Sequence, residues 1–151
     1  MINNYEEQNI LEFNIADEFF GIYITNILRI IEYSNIRKLP GMAGDCEGII
    51  IFDNTIVPVI NLSRILNVKD YHEGEKDKLV IVKKDKDLFA FHINYARKII
   101  KLDDRMIFDD SKLSFVKLRF YENQKRNVYI IDDNELIKYF INKGADNDSD
   151  N

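Results

Sequence analysis

Phe20-Gly21-Ile22-Tyr23-Ile24-Thr25-Asn26-Ile27-Leu28-Arg29-Ile30-Ile31 returns 69 residues later as Phe89-Ala90-Phe91-His92-Ile93-Asn94-Tyr95-Ala96-Arg97-Lys98-Ile99-Ile100. A second pair lies further on: Val59-Ile60-Asn61 with Ile65-Leu66 matches Ile130-Ile131-Asp132 with Leu136-Ile137, at an offset of 71. Two near-equal offsets point to a duplicated unit and predict two similar subdomains.

The segments between these blocks read mostly as strands. Leu11, Phe13 and Ile15 alternate with Glu12 and Asn14, which predicts a half-buried strand with Glu12 and Asn14 on its wet side. Gly48 to Phe52 and Thr55 to Ile60 flank Asp53-Asn54, a pair that tolerates the positive φ a tight hairpin turn requires. Leu79 to Val82, Leu88 to Ile93, Val116 to Tyr121 and Val128 to Ile131 are further strands. Pro58 has no N–H and belongs at an edge or bulge. Only two helices are expected. One is short, over Leu62 to Leu66; the other runs from about Asn134 to Ile141, with Asp133 as N-cap and Lys143-Gly144 as its end. Many short strands with few helices favour small barrels, which leave no long exposed sheet edge. The fold class is therefore all-β with minor helices.

Composition excludes several functions. Of 151 residues, 46% are hydrophobic and 31% charged, which suits a folded globular chain. The net charge of −5 argues against nucleic acid, whose binding relies on Lys and Arg at the phosphates. The best basic run, Lys117, Arg119, Lys125 and Arg126, is interrupted by Glu122. Apolar runs such as Ile49 to Phe52 are far too short to cross a bilayer. The start, Met1-Ile2-Asn3-Asn4-Tyr5-Glu6-Glu7, lacks the features of a signal peptide. With a single cysteine, Cys46, a reducing cytoplasmic location is expected.

No catalytic or metal-binding constellation emerges. His72 lies in the polar connector Asn67 to Asp77, and His92, between Phe91 and Ile93, is expected to face solvent from a strand. Neither has a second ligand at metal-like spacing. Cys46 stands between Asp45 and Glu47, which raise a thiol pKa rather than activate it. The carboxylate pairs Asp103-Asp104, Asp109-Asp110 and Asp132-Asp133 read as solvated loop charge, and Asp146, Asp148 and Asp150 lack the Gly and Glu of a calcium loop. No enzyme and no cofactor is expected.

From Ile27-Leu28-Arg29-Ile30-Ile31 through Leu39-Pro40, Gly48-Ile49-Ile50-Ile51-Phe52-Asp53-Asn54 and Pro58-Val59-Ile60-Asn61-Leu62, the order of residues resembles the CheW-like family. Its pattern there is approximately V-x-E-I … P … G-V-I-N-L-R-G-x-x-x-P-V-I-D-L. Phe91 to Asn94 with Ile99-Ile100, and Val128-Tyr129-Ile130-Ile131-Asp132, extend the likeness over roughly Asn9 to Phe140. The resemblance implies two small five-stranded SH3-like β-barrels around a shared core, within a domain spanning 9–141. The first barrel would cover about 20–77. The second would cover about 78–131 with the N-terminal strand and C-terminal helix, leaving 142–151 as a disordered tail.

The resemblance also implies a non-catalytic cytoplasmic adaptor that couples chemoreceptors, the methyl-accepting chemotaxis proteins, to a CheA-type histidine kinase. The positions matching the family's partner contacts are Ile27, Arg29, Gly48 and Asp53. Ile27 and Gly48 keep the residue type. Arg29 stands where the family usually has Glu, Asp53 where it has Arg, Ile51 where it has Asn, and Asn54 where it has Gly. The joint reversal of sign has two readings: drift at two exposed positions, or a swapped Arg29–Asp53 ion pair, which would place N and O about 4 Å apart. The competing reading is a small SH3- or OB-like binding module for another protein or for single-stranded nucleic acid, with Tyr and Phe as stacking platforms.

Overall fold

The computed structural model describes residues 9–42, 44–69, 76–102, 107–109, 114–122 and 126–149. His72, Asp103-Asp104, Asp110, Lys125 and Asp150 lie outside them. Eleven strands and two helices follow in order: β1 Asn9–Ile15, β2 Glu18–Tyr23, β3 Ile27–Glu32, β4 Cys46–Phe52, β5 Thr55–Ile60, α1 Leu62–Ile65, β6 Lys78–Lys84, β7 Asp87–Ile93, β8 Tyr95–Lys101, β9 Ile107–Asp109, β10 Val116–Glu122, β11 Arg126–Ile131 and α2 Asp133–Ser149.

The strands form two sheets, in the orders β8-β1-β2-β11-β10-β9 and β3-β6-β7-β5-β4. Apart from β9, the two orders correspond strand for strand at the sequence offsets. The registers agree as well. Phe13 faces Ala96 as Val82 faces Ile27, and Gly21 lies beside Ile130 as Ala90 lies beside Val59. Each sheet contains one parallel pairing, β2 with β11 and β7 with β5. The segments 20–31 and 89–100 are thus equivalent elements, as the repeat predicts.

The division between the sheets differs from the expected break at residue 77. β1 does join β8 to β11, but β2 joins them too, while β6 and β7 pair with β3 and β5. Each sequence repeat gives its first hairpin to one sheet and its later strands to the other. The second edge of β2 and of β7 is paired only across that exchange.

The exchange buries both faces of the strands at the seam, β1, β6 and β7. Leu11, Phe13, Ile15, Phe20, Ile22 and Ile131 from one sheet meet Ile60, Val80, Val82, Phe89, Phe91 and Ile93 from the other, with Leu62, Leu136 and Ile137 of the helices closing this shared core. The opposite faces each enclose a separate small core: Ile10, Leu102, Val128 and Ile130 in the first sheet, and Ile50, Phe52, Val57, Val59, Leu79, Ile81 and Ala90 in the second. Glu12, expected on the wet side, is therefore fully buried, with its carboxylate 3.1 Å from Arg126 Nη2 and 3.9 Å from Arg97 Nε.

The helix ends show the repeat again. Asn61 Oδ1 accepts from the Arg64 amide and Asp132 Oδ1 from the Glu135 amide, so the cap of α2 is Asp132 and not Asp133. α2 also continues to Ser149 rather than ending at Lys143-Gly144. A glycine there costs about 1 kcal/mol but does not force a stop.

Because both sheets depend on the shared core, Phe13→Ala or Phe91→Ala should each destabilise the protein by about 3–5 kcal/mol. Amides of both sheets should lose their hydrogen-exchange protection in one transition, whichever ring is removed.

Candidate interaction surface

Of the four residues singled out by the resemblance, three lie in strands of the five-stranded sheet and the fourth in one of its turns. Ile27 opens β3 and packs, partly buried, against the shared core. Arg29 is exposed two residues on, opposite Ile81. Gly48 lies within β4, and Asp53 occupies the turn between β4 and β5 with Asn54, both at positive φ (48° and 60°).

The expected ion pair is not formed. Arg29 instead sets its guanidinium over the ring of Phe52, 5.2 Å from the centroid, and no ion pair joins it to Asp53 among the described residues. Phe52 is buried in the small core while Asp53 is held at the turn, where its carbonyl accepts from Thr55. The aromatic face offers the guanidinium an electrostatic partner without a fixed geometry. Arg29 and Asp53 are two independent charges.

Gly48 has a structural reason. The amide of Arg37 donates to Ile49 O and the amide of Ile49 donates to Arg37 O, both at 2.9 Å, so the chain beyond β3 closes over the edge of β4 through one isolated bridge. A Cβ at position 48 would come 2.6 Å from the Arg37 carbonyl oxygen, and φ is +155°, a region that β-carbons disfavour. Here Gly48 is buried, so it shapes the surface rather than displaying a side chain.

Around this closure lie apolar groups exposed to water. Ile51 and Ile56 are direct cross-strand partners on β4 and β5, 67% and 64% exposed. Leu28 and Ile30 on β3 are also exposed. A groove of about 440 Å³ between the end of β3 and β4 is lined by Ile31, Asn35, Arg37, Ile49 and Ile51 among others. Side chains alternate along a strand, so burying Ile50 and Phe52 necessarily turns Ile49 and Ile51 outward.

A second cleft of about 750 Å³ is lined by Tyr33, Met42, Cys46, Glu47 and Asn61 among others. The Cys46 thiol hydrogen-bonds Gly48 O at 3.3 Å, and burial, with Glu47 nearby, holds its pKa above 9.0. No thiolate nucleophile is set up there. Below it, Asp45 is buried and receives Arg64 Nε at 3.3 Å and Lys143 Nζ at 2.8 Å, which fixes the start of β4 to both helices.

His92 departs most from expectation. It is buried, not solvent-facing: its Nδ1 is 2.7 Å from Glu47 Oε2, its Nε2 is 2.6 Å from Asp77 Oδ2, and its ring stacks on Tyr33 at 4.1 Å. Burial works against the charged ring, but the bonds and charges of Glu47 and then Asp77 outweigh it, and its pKa stands above the usual 6.5. Among the described residues, no set of three His, Cys, Asp or Glu side chains is arranged to hold a metal ion.

The fold is a pair of small, interlocked antiparallel-rich sheets around a shared core. The profile of the CheW-like domain matches residues 9–138, and the chain belongs to the CheW-like family. It is 32% identical over 103 residues to the chemotaxis protein CheW of Thermotoga maritima, covering 68% of this chain and 67% of that one. The chemotaxis protein CheW of Treponema pallidum is 27% identical over 70 residues, 46% of this chain and 41% of that protein. Among solved structures, the scaffolding protein TtCheW from Thermoanaerobacter tengcongensis superposes with a TM-score of 0.74 at 21% identity, covering 83% of this chain and 88% of that one. That likeness establishes the shared fold.

A double-mutant cycle should find about 0.5–1 kcal/mol of coupling between Arg29 and Phe52, and none outside error between Arg29 and Asp53.

Proposed function

We propose that this chain is a non-catalytic chemotaxis adaptor that joins chemoreceptors to a CheA-type histidine kinase in the cytoplasm. Membership of the CheW-like family supports the reading at the level of the class. The observation that carries it for this chain is the exposed apolar pair Ile51–Ile56 beside the β3–β4 groove. An unpaired apolar surface on a small soluble barrel is what a protein partner covers. Among the described residues, no helix is long and apolar enough to cross a membrane.

Ile27, Arg29, Gly48 and Asp53 then divide their work. Arg29 and Asp53 meet charges of opposite sign on the partner, an acidic group and a basic group respectively, and set specificity. Ile27 and Gly48 hold β3 and β4 in the positions those contacts need. Ile51, apolar where the family usually has Asn, adds burial at the centre of the contact.

Single-stranded nucleic acid is the less supported reading. Lys117 lies over Tyr23, Arg119 donates to Asn127 and Arg126 pairs with Glu12, so these cations are engaged within the fold.

Titration of the regulatory domain of the kinase from the same organism tests the proposal. Ile51→Thr with Ile56→Thr should weaken binding by more than tenfold with melting little changed, since both side chains are already in water and threonine suits a strand. Arg29→Glu and Asp53→Arg should each weaken it, and their effects should add because the two groups are uncoupled. Wild-type protein that binds neither kinase nor receptor, or that binds equally well with both isoleucines replaced, contradicts it.

A further inference from the structure

His92 is at the centre of a buried polar chain that runs from one sheet into the other. Glu47 on β4 takes one ring nitrogen, and its second oxygen accepts from the Tyr33 hydroxyl at 2.8 Å. Asp77, just before β6 and fully buried, takes the other nitrogen, and its second oxygen accepts from Asn94 Nδ2 at 3.2 Å. Asn94 Oδ1 then accepts from the amide of Ala16 at 2.6 Å, in the turn between β1 and β2 of the six-stranded sheet. The amide of Asn94 donates to Asn14 O, and the amide of Tyr33 to Asp77 O. One ring thereby ties together the end of β3, the start of β4, the entry to β6, and the first hairpin of the opposite sheet.

A neutral imidazole has one donor and one acceptor, whereas an ionised carboxylate only accepts. Carboxylate oxygens at 2.7 and 2.6 Å from the two nitrogens each need a proton from the ring. The remaining oxygens already accept from Tyr33 and Asn94, so both carboxylates serve as acceptors throughout. Glu47 and Asp77 are the charged groups facing the ring, Tyr33 covers its face, and the neighbouring Cys46 thiol stays protonated through neutral pH.

We infer that His92 is held as an imidazolium and that its charge is the latch positioning the entry of β4, and with it the Arg37–Ile49 closure, against the turn between β1 and β2. Loss of one proton leaves a carboxylate facing a lone pair at under 3 Å, and those two groups must part. Glu47 is two residues from Ile49, so the closure beside the exposed apolar groove loosens first. This inference concerns the fold alone and does not depend on which partner docks.

The pKa of His92 is raised in the folded chain, so the latch is fully closed below about 6.5 and is lost as pH climbs through the higher folded value. Nitrogen-15 spectra of the ring over pH 6 to 9, in the full chain, test the inference directly. His92 should titrate above 6.5, with both ring nitrogens protonated below its midpoint. Across the same interval the protection factors of the Arg37 and Ile49 amides should fall, by about tenfold for each unit separating folded from unfolded pKa. His92→Gln should remove that pH dependence, and Glu47→Gln should lower the midpoint of His92. A midpoint at or below 6.5, or Ile49 protection equal on both sides of it, overturns the inference. Both of those measurements use wild-type protein, so they decide the matter even if a variant fails to fold.

Discussion

The exchange of hairpins between the two sheets governs how everything else in this molecule is held. Leu11, Phe13 and Ile15 of β1 share one core with side chains from the other sheet and the helices, and Val80 and Val82 of β6 stand in the same relation to β1 and β2. Neither half of the sequence can complete its own sheet, because β2 needs β11 and β7 needs β5. A duplicated chain folded this way behaves as one cooperative unit with two ends. Burial at the seam is the dominant favourable contribution, as in most domains of this size.

That seam leaves the outer ends free to differ. In the five-stranded sheet the interior is apolar at Ile81, while the equivalent position in the six-stranded sheet is Glu12, held by Arg126 and Arg97 with Phe19 against both guanidiniums. A buried charge is tolerated only when paired, and it contributes little net stability compared with an apolar replacement. The five-stranded sheet carries instead a fully apolar small core, the Gly48-dependent closure and the exposed isoleucines. The two ends share one topology but present different chemistry.

Much of the fold could be read from local pattern. Strand periodicity located the elements, and the offsets of 69 and 71 identified equivalent ones, because both are properties of sequence order. Which sheet each hairpin joins was not legible, since pairing partners are set by three-dimensional closure. The same gap misplaced His92 and Glu12. Alternation separates two faces of a strand, but both faces of β1 and β7 are buried, so the polar side was not the wet side. Of the candidate surface, the turn at Asp53-Asn54 and the importance of Gly48 were accessible in advance. The Arg29 contact was not: charge complementarity on paper favoured Asp53, but Asp53 is held at the hairpin tip while the Phe52 ring lies within reach.

If the chain acts as proposed, the outer face of the β4–β5 hairpin, and not the shared seam, meets the kinase. Cross-saturation from an unlabelled kinase regulatory domain to isoleucine methyls of this protein measures that contact most directly. Strong attenuation is expected at the Ile51 and Ile56 methyls, with Ile60 and Ile93 in the shared core left unchanged. Attenuation confined to residues outside this hairpin, or none at all in a complex shown to form, would contradict it.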